Sequence, residues 1–425
     1  MKKIATIFCL LASGVVSAQK LEKIISVEEV TKTEAYLSSD AMEGRRVYTP
    51  AIDRAADFIA ARFKEAGLQP LKGGDYFQPF AMLHVEPDQV QVTVGSISIP
   101  ADSVAVLTSL ENLTLGPSDS VQVIALDKDH TVTQVVNNFR RGSATNVLVL
   151  LDSLGISRLA RYRRALGDHF TGPHSLVMIP WYGASPGAFS IHIHSTITQK
   201  PLKNVVGVLP GTSRPNEYVI FSAHYDHLGI GKPDAKGDSI YNGANDDASG
   251  TTAVLMLAKY FSARHDNART LVFVAFTAEE IGEYGSQYFA TQWNPDQVVA
   301  MFNIEMIGTT SKWGTHSAYI TGFERSDFGK ILQKNLEGTG FTFYPDPYPT
   351  QNLFYRSDNA SLARVGVPAH TISTSKMDNE PYYHKQGDEI STLDMENMTQ
   401  IIQSIALSSV GIISGTDTPT RVPSI

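Results

Sequence analysis

The chain has 425 residues, 42% of them hydrophobic and 18% charged, a make-up that excludes a wholly disordered or membrane-embedded protein. Its length admits one large core with an insertion or two separate domains. A formal net charge of -8 disfavours nucleic acid as a partner without identifying a substrate.

In chain order, Lys2 and Lys3 precede an apolar run from Ile4 to Val16, and Val16-Ser17-Ala18 is the small-residue pattern that signal peptidase cuts after. The run is too short for a membrane-spanning helix. Residues 1–18 are therefore expected to be a signal peptide, with a mature chain that starts near Gln19 and is periplasmic or extracellular. The only cysteine, Cys9, lies in that segment, so disulfides, thiolate metal sites and a cysteine nucleophile are excluded from the exported chain.

From Ser26 to about Phe80 the pattern is helical. Thr49-Pro50 offers a capping hydroxyl before a proline at the first helical position, and Ile52, Ala55, Ala56, Ile59 and Phe63 recur at helical spacing up to Gly67. Between about 90 and 201 the texture changes to short runs such as Val90–Val94, Val121–Ala125 and Asn146–Leu151, separated by turns, which predicts a β-rich inserted domain. Arg158, Arg161, Arg163 and Arg164 read there as a solvated helix face. His192 and His194 alternate along a strand as a two-histidine site would require, but with no acidic partner close in sequence they read as an exposed strand face. The end of the chain, 415–425, rich in Thr, Pro and Ser, reads as a loose tail.

The chemistry concentrates between His224 and Glu280. Tyr218–Ala223 and Leu271–Phe276 are continuous apolar runs that read as buried strands, ending at His224-Tyr225-Asp226 and at Thr277-Ala278-Glu279-Glu280. Between them lie Asp246 and Asp247 and an apolar helical stretch, Thr251 to Phe261. Strand, acidic loop, helix, strand predicts an open α/β sheet, mixed but mostly parallel with helices on both faces, where ligands bind beyond the carboxyl ends of the strands. Glu305 ends another apolar run from Val298, and His384 follows the predicted strand Val367–Ile372. Histidine and carboxylate ligands in similar shares, with one carboxylate shared, suit two zinc ions. A bridging water on such a pair supplies the nucleophile for amide hydrolysis, and an adjacent carboxylate carries the proton. Glu279 and Glu280, as neighbours, point apart and can divide metal binding and proton transfer. Asp226 is placed either to hold the His224 ring or to bear on the metals.

Five motifs, Ala223-His224-Tyr225-Asp226, Gly243-Ala244-Asn245-Asp246-Asp247-Ala248-Ser249-Gly250, Ala278-Glu279-Glu280-Ile281-Gly282, Asn303-Ile304-Glu305-Met306 and Tyr383-His384, resemble in order and spacing those of the zinc exopeptidases that include bacterial leucyl aminopeptidases and glutamate carboxypeptidase II. The resemblance covers about 202–412 and the N-terminal helices, so that 19–89 and 202–414 would form the catalytic domain around the insert at 90–201. It implies two zinc ions, one on His224, Glu305 and a bridging Asp246, the other on Asp246, Glu280 and His384. It further implies Glu279 as general base and Asp226 as support for His224. Most relatives carry aspartate where this chain has Glu305. The oxyanion-steadying tyrosine of some relatives corresponds to Tyr355, or to Phe354 if the register shifts by one. Relatives place no ligand at His227, which is expected to have an orienting or structural duty. The insert is similar in placement to protease-associated domains. The implied activity is aminopeptidase action on peptides. A single-zinc glutaminyl cyclase, a carboxypeptidase or dipeptidase of the same fold, and a non-catalytic binding module are the alternatives.

Overall fold

A computed structural model describes residues 21–424, except 72–73, 127–130, 141 and 183–184. The expected signal peptide, 1–18, lies outside the described residues. The chain divides into two compact units, residues up to Pro79 together with Leu202 onward, and Phe80–Pro201. Among the described residues no helix is long and apolar enough to cross a membrane.

The first unit is built on a mixed, mostly parallel sheet. Its strands are β1 (Phe189–Leu209, of which 202–209 belong here), β2 (Arg214–His224), β3 (Arg269–Phe276), β4 (Val298–Ile304), β5 (Ser317–Ile320), β6 (Thr342–Pro345) and β7 (Ala369–Ser373). Their order is β6-β5-β7-β4-β2-β3-β1. The central members β7, β4, β2 and β3 are parallel, while β1 and β5 run against their neighbours β3 and β7. Each residue of β3 is buried, which explains its unbroken apolar run: a strand covered on both faces has no solvent side to alternate toward.

Register carries the packing. Phe221 of β2 pairs with Phe273 of β3 and Phe302 of β4, and the three rings stack in a row across the sheet at centroid spacings of 5.5 and 4.8 Å. Phe261 of helix α3 (Ser249–Arg264) covers that row at 5.6 Å from Phe221. Each such ring pair adds about 0.5–1.5 kcal/mol beyond area burial. Helix α3 is apolar around most of its circumference because β2 and β3 lie on one side and helices α1 (Val27–Leu37), α2 (Pro50–Glu65) and α4 (Met395–Ser408) on the others.

The expected helix at Pro50 is present and buries Ile52, Ala55, Ala56, Ile59 and Phe63, with Gly67 in a left-handed conformation just beyond its end. Thr49 does not cap it. Its hydroxyl donates to the Arg46 carbonyl at 2.7 Å instead. The end of the chain is not a loose tail either: the Arg421 guanidinium donates to the Val298 carbonyl at 2.8 Å, Val422 is buried, and buried Arg269 donates to the carbonyls of Ile412 and Asp417. Thr/Pro/Ser composition concealed this because the residues that hold the segment, Arg269 on Thr418 and Asp327 on Thr420 among them, lie far off in the chain.

The Phe80–Pro201 unit starts ten residues before the expected 90, within the single strand Phe77–Val94. It contains antiparallel pairings of 92–94 with 97–99 and of 191–194 with 112–115, and a second sheet in which Asn146–Leu151 runs parallel to both Val121–Ala125 and Leu176–Pro180. Three short helices, Val132–Arg140, Ser153–Ser157 and Leu159–Ala165, accompany them. Arg158, Arg161 and Arg163 are exposed, as a solvated face requires.

Candidate metal centre

Parallel register brings the strand ends level. His224 closes β2 opposite Phe276, the last residue of β3, after which the chain turns to Glu279 and Glu280. Ile304 closes β4 opposite Ile372 of β7, and Glu305 comes next, its amide donating to the Ile372 carbonyl. Asp246 enters from the loop before α3, and His384 from the loop after β7 in a left-handed conformation.

The donors converge. His224 Nε2 lies 3.2 Å from Asp246 Oδ1. His384 Nε2 lies 3.3 Å from Asp246 Oδ2 and 3.1 Å from Glu280 Oε2. Asp246 thus faces a histidine with each oxygen, as a bridge between two ions would. His224 and Asp246 are buried and Glu305 is half-buried, and neither His224 Nε2 nor Glu305 Oε2, both shielded from solvent, has a hydrogen-bond partner. Buried polar atoms are normally satisfied, so unpartnered donors aimed into a carboxylate cluster fit a bound cation. Neutral imidazoles and carboxylates are the ligand types zinc takes.

The adjacent aspartates do different work. Asp247 turns away from the cluster and accepts from the amides of His224 (3.3 Å), Gly250 (2.9 Å) and Met306 (3.1 Å), tying together the ends of β2 and β4 and the start of α3. This leaves Asp246 as the ligand of the two. Asp226 accepts from the amides of Glu279 (3.1 Å) and Glu280 (3.3 Å). Its carboxylate is 3.8 Å from His224 Nδ1, which lies nearer the Asp226 main-chain carbonyl, at 3.1 Å. Asp226 therefore fixes the two glutamates at least as much as the histidine.

Residues without a sequence assignment complete the frame. Asp388 accepts from the amides of Asn245 (2.8 Å) and Asp246 (3.0 Å), setting the bridging loop. Arg45 is fully buried and donates to the carbonyls of Tyr225, Leu37, Asn242 and Gly243. His227 lies with its Nδ1 2.6 Å from Glu280 Oε1, and His227, Asp246 and Glu280 each bring a ligand atom within 4.8 Å of the others. At Gly243, φ is +57° and a Cβ would lie 2.5 Å from the His227 ring, so the loop admits that ring only with glycine there.

Tyr355 is not brought to the cluster. Its ring lies between the guanidiniums of Arg325 and Arg364, at 5.3 and 5.7 Å. Phe354 packs in the core beside His370. Two tyrosines line the cavity next to Glu305, with Met306, Leu353, Ser375 and Met377: Tyr319, whose hydroxyl donates to the Ser375 carbonyl, and Tyr383. Its ring stacks on His384 at 4.0 Å. The signal was present in Tyr383-His384 itself, whereas nothing in the sequence marks Arg45.

Burial dominates the electrostatics. It lifts Glu279 well above the ordinary carboxylate range and raises Glu305 and Asp226 to about 7 and 6. Burial also opposes ionisation of Asp246, but the neighbouring imidazoles of His224 and His384 outweigh it and hold that carboxyl low. Bonds to Asp246 and Glu280 raise His384 to about 10.

Residues 204–409 match the model of peptidase family M28. Leucine aminopeptidase 1 of Ajellomyces capsulatus (strain H88) is 28% identical over 213 residues, covering 46% of this chain and 52% of that protein. Across the similar curated relatives the matched stretch spans 23% to 59% of their length. Among solved structures, the zinc aminopeptidase BSAP from Bacillus subtilis superposes with a TM-score of 0.56 at 18% identity, covering 93% of this chain and 97% of that one. Porphyromonas gingivalis glutaminyl cyclase does so with 0.51 at 12% identity, covering 90% and 97%. These likenesses share the mixed α/β architecture described above. The matched segment runs from the end of β1 to the end of α4 and holds each of the strand-end donors, so residues 204–409 are similar throughout to peptidase family M28.

Proposed function

We propose that the protein is an exported zinc-dependent exopeptidase that removes N-terminal residues from peptides and holds two zinc ions. The observation that carries this reading is the convergence of His224, Glu280 and His384 on Asp246, with shielded atoms of His224 and Glu305 left unpartnered. His224 and Glu305 would hold one ion with Asp246, and Glu280 and His384 the other. When bound, the ions supply an activated water and polarise the scissile carbonyl.

The chain's own residues do the rest. Glu279, fixed through its amide by Asp226, takes a proton from the attacking water and returns it to the leaving amine; burial, by favouring its protonated form, suits it to the second task. Tyr383, whose phenol burial keeps protonated, is placed to donate to the developing oxyanion, the role expected for Tyr355. Met306, Leu353 and Met377 offer an apolar wall for the substrate side chain.

One tight group, His227, Asp246 and Glu280, would by itself serve a single ion, which favours a glutaminyl cyclase as the second reading. The unpartnered His224 and Glu305 atoms support two ions. The test is to assay aminoacyl anilides, dipeptides, N-blocked peptides and N-terminal glutaminyl peptides before and after chelation, with zinc restored. Cleavage confined to free N-termini, with two zinc ions per chain, is expected. Cyclisation of glutaminyl peptides with one zinc, or cleavage of N-blocked peptides, would overturn it. The export reading rests on residues 1–18, and N-terminal sequencing of the secreted protein, expected to begin near Gln19, checks it.

A further inference from the structure

We infer that His227 is itself a metal ligand, completing a four-donor set with Asp246, Glu280 and His384. This rests on the zinc reading above and concerns which side chains face the second ion. His227 Nδ1 lies 2.6 Å from Glu280 Oε1 and 4.0 Å from Asp246 Oδ2. His384 Nε2 meets the same two carboxylates, at 3.1 Å from the other oxygen of Glu280 and 3.3 Å from Asp246 Oδ2. Bonds of about 2.0–2.1 Å at tetrahedral angles hold neighbouring ligand atoms roughly 3.3 Å apart. The observed spread brackets that value, so small side-chain shifts bring two nitrogens and two oxygens around one point.

The surroundings of the ring favour a ligand over a structural group. His227 is 1% exposed, and a histidine kept so deep for structural reasons would be bonded to groups outside the cluster. Its Nε2 has no partner, and its Nδ1 meets only the cluster carboxylates. The main chain around it is arranged to admit the ring: Gly243 leaves the space that a Cβ would fill, and the His227 amide is held by the carbonyl of buried Arg45 at 3.3 Å.

The two positions then differ in kind. Four protein donors close the His227 side, as in sites that hold zinc firmly. His224, Asp246 and Glu305 make a three-donor set, which keeps a place for water or substrate.

Zinc-edge X-ray absorption on the zinc-loaded full chain counts imidazoles per ion, and three over two zinc ions are expected. In His227→Gln the count should fall to two, and one zinc should weaken by more than the ~10- to 100-fold typical of losing an outer partner of a ligand. Two imidazoles in the wild-type protein would overturn the inference while leaving the dizinc reading intact. So would weakened zinc in His227→Gln with an unchanged imidazole count, which would show that the ring only steadies Glu280. Failure of the wild-type chain to hold zinc at all would remove both readings. The wild-type count stands even if the variant folds poorly, and comparing the melting of the two metal-free proteins tests for that.

Discussion

In the Phe80–Pro201 unit His194 lies 2.6 Å from Asp88 and 3.5 Å from Glu111; at the strand ends of the other unit His224, His227 and His384 lie 2.6 to 3.3 Å from Asp246 and Glu280. Residue types and spacings are alike. The His194 group, however, is open to water, with Asp88 also accepting from Thr196, and its members are satisfied as they stand. Hydrogen bonding between His194 and Asp88 raises the one and lowers the other, each favouring its charged form. At the strand ends burial opposes charge and leaves donor atoms without partners. Unmet demand, more than the presence of histidine and carboxylate, separates a metal centre from an ion pair.

That contrast can be broken in four ways. Glu279→Gln should lower turnover by about 10²–10⁴-fold with both zinc ions retained, measured by steady-state kinetics and metal analysis; near-normal turnover would remove Glu279 as the base. Arg45→Met strips donors from four buried carbonyls around the site and should destabilise the fold by roughly 3 kcal/mol or more in denaturant unfolding. Glu34 is buried and raised by that burial from 4.5 to about 8. The folded state keeps its proton to about pH 8 while the unfolded chain releases it near 4.5, so its contribution is full below 4.5 and is lost as pH rises to 8. Glu34→Gln should flatten that fall, by a few kcal/mol across the window, in unfolding measured at several pH values. Smallest, His194→Ala should leave bound zinc unchanged and the melting temperature unmoved within resolution. Loss of zinc there would erase the distinction drawn between the two clusters.

Much of the centre was legible in the sequence because parallel strands carry the residues just past their apolar runs to one edge of the sheet. His224, Glu279, Glu280 and Glu305 could be read that way, and the structure brings them together with Asp246 and His384. Selecting Asp246 over Asp247 needed the resemblance, and its physical reason appears only in three dimensions, where Asp247 is occupied by three amides. Tyr355 misled because irregular loop carries no periodicity to fix its register. His227 was read as an orienting or structural group because relatives place no ligand there, and Arg45 was passed over because its partners are main-chain carbonyls, three of the four distant in sequence. The acidic partners of His194, Asp88 and Glu111, come from distant parts of the chain, so adjacency could not reveal them. The lack of alternation that marked β3 as buried had no counterpart at 415–424.

Those last residues fasten beside Val298, at the amino end of β4, whereas the zinc donors gather past its carboxyl end. At about 3.3 Å of rise per residue, the length of that strand sets some 20 Å between them. A surface handle or reporter attached there would leave the candidate metal centre facing away from the support, which makes this stretch the natural place for immobilisation.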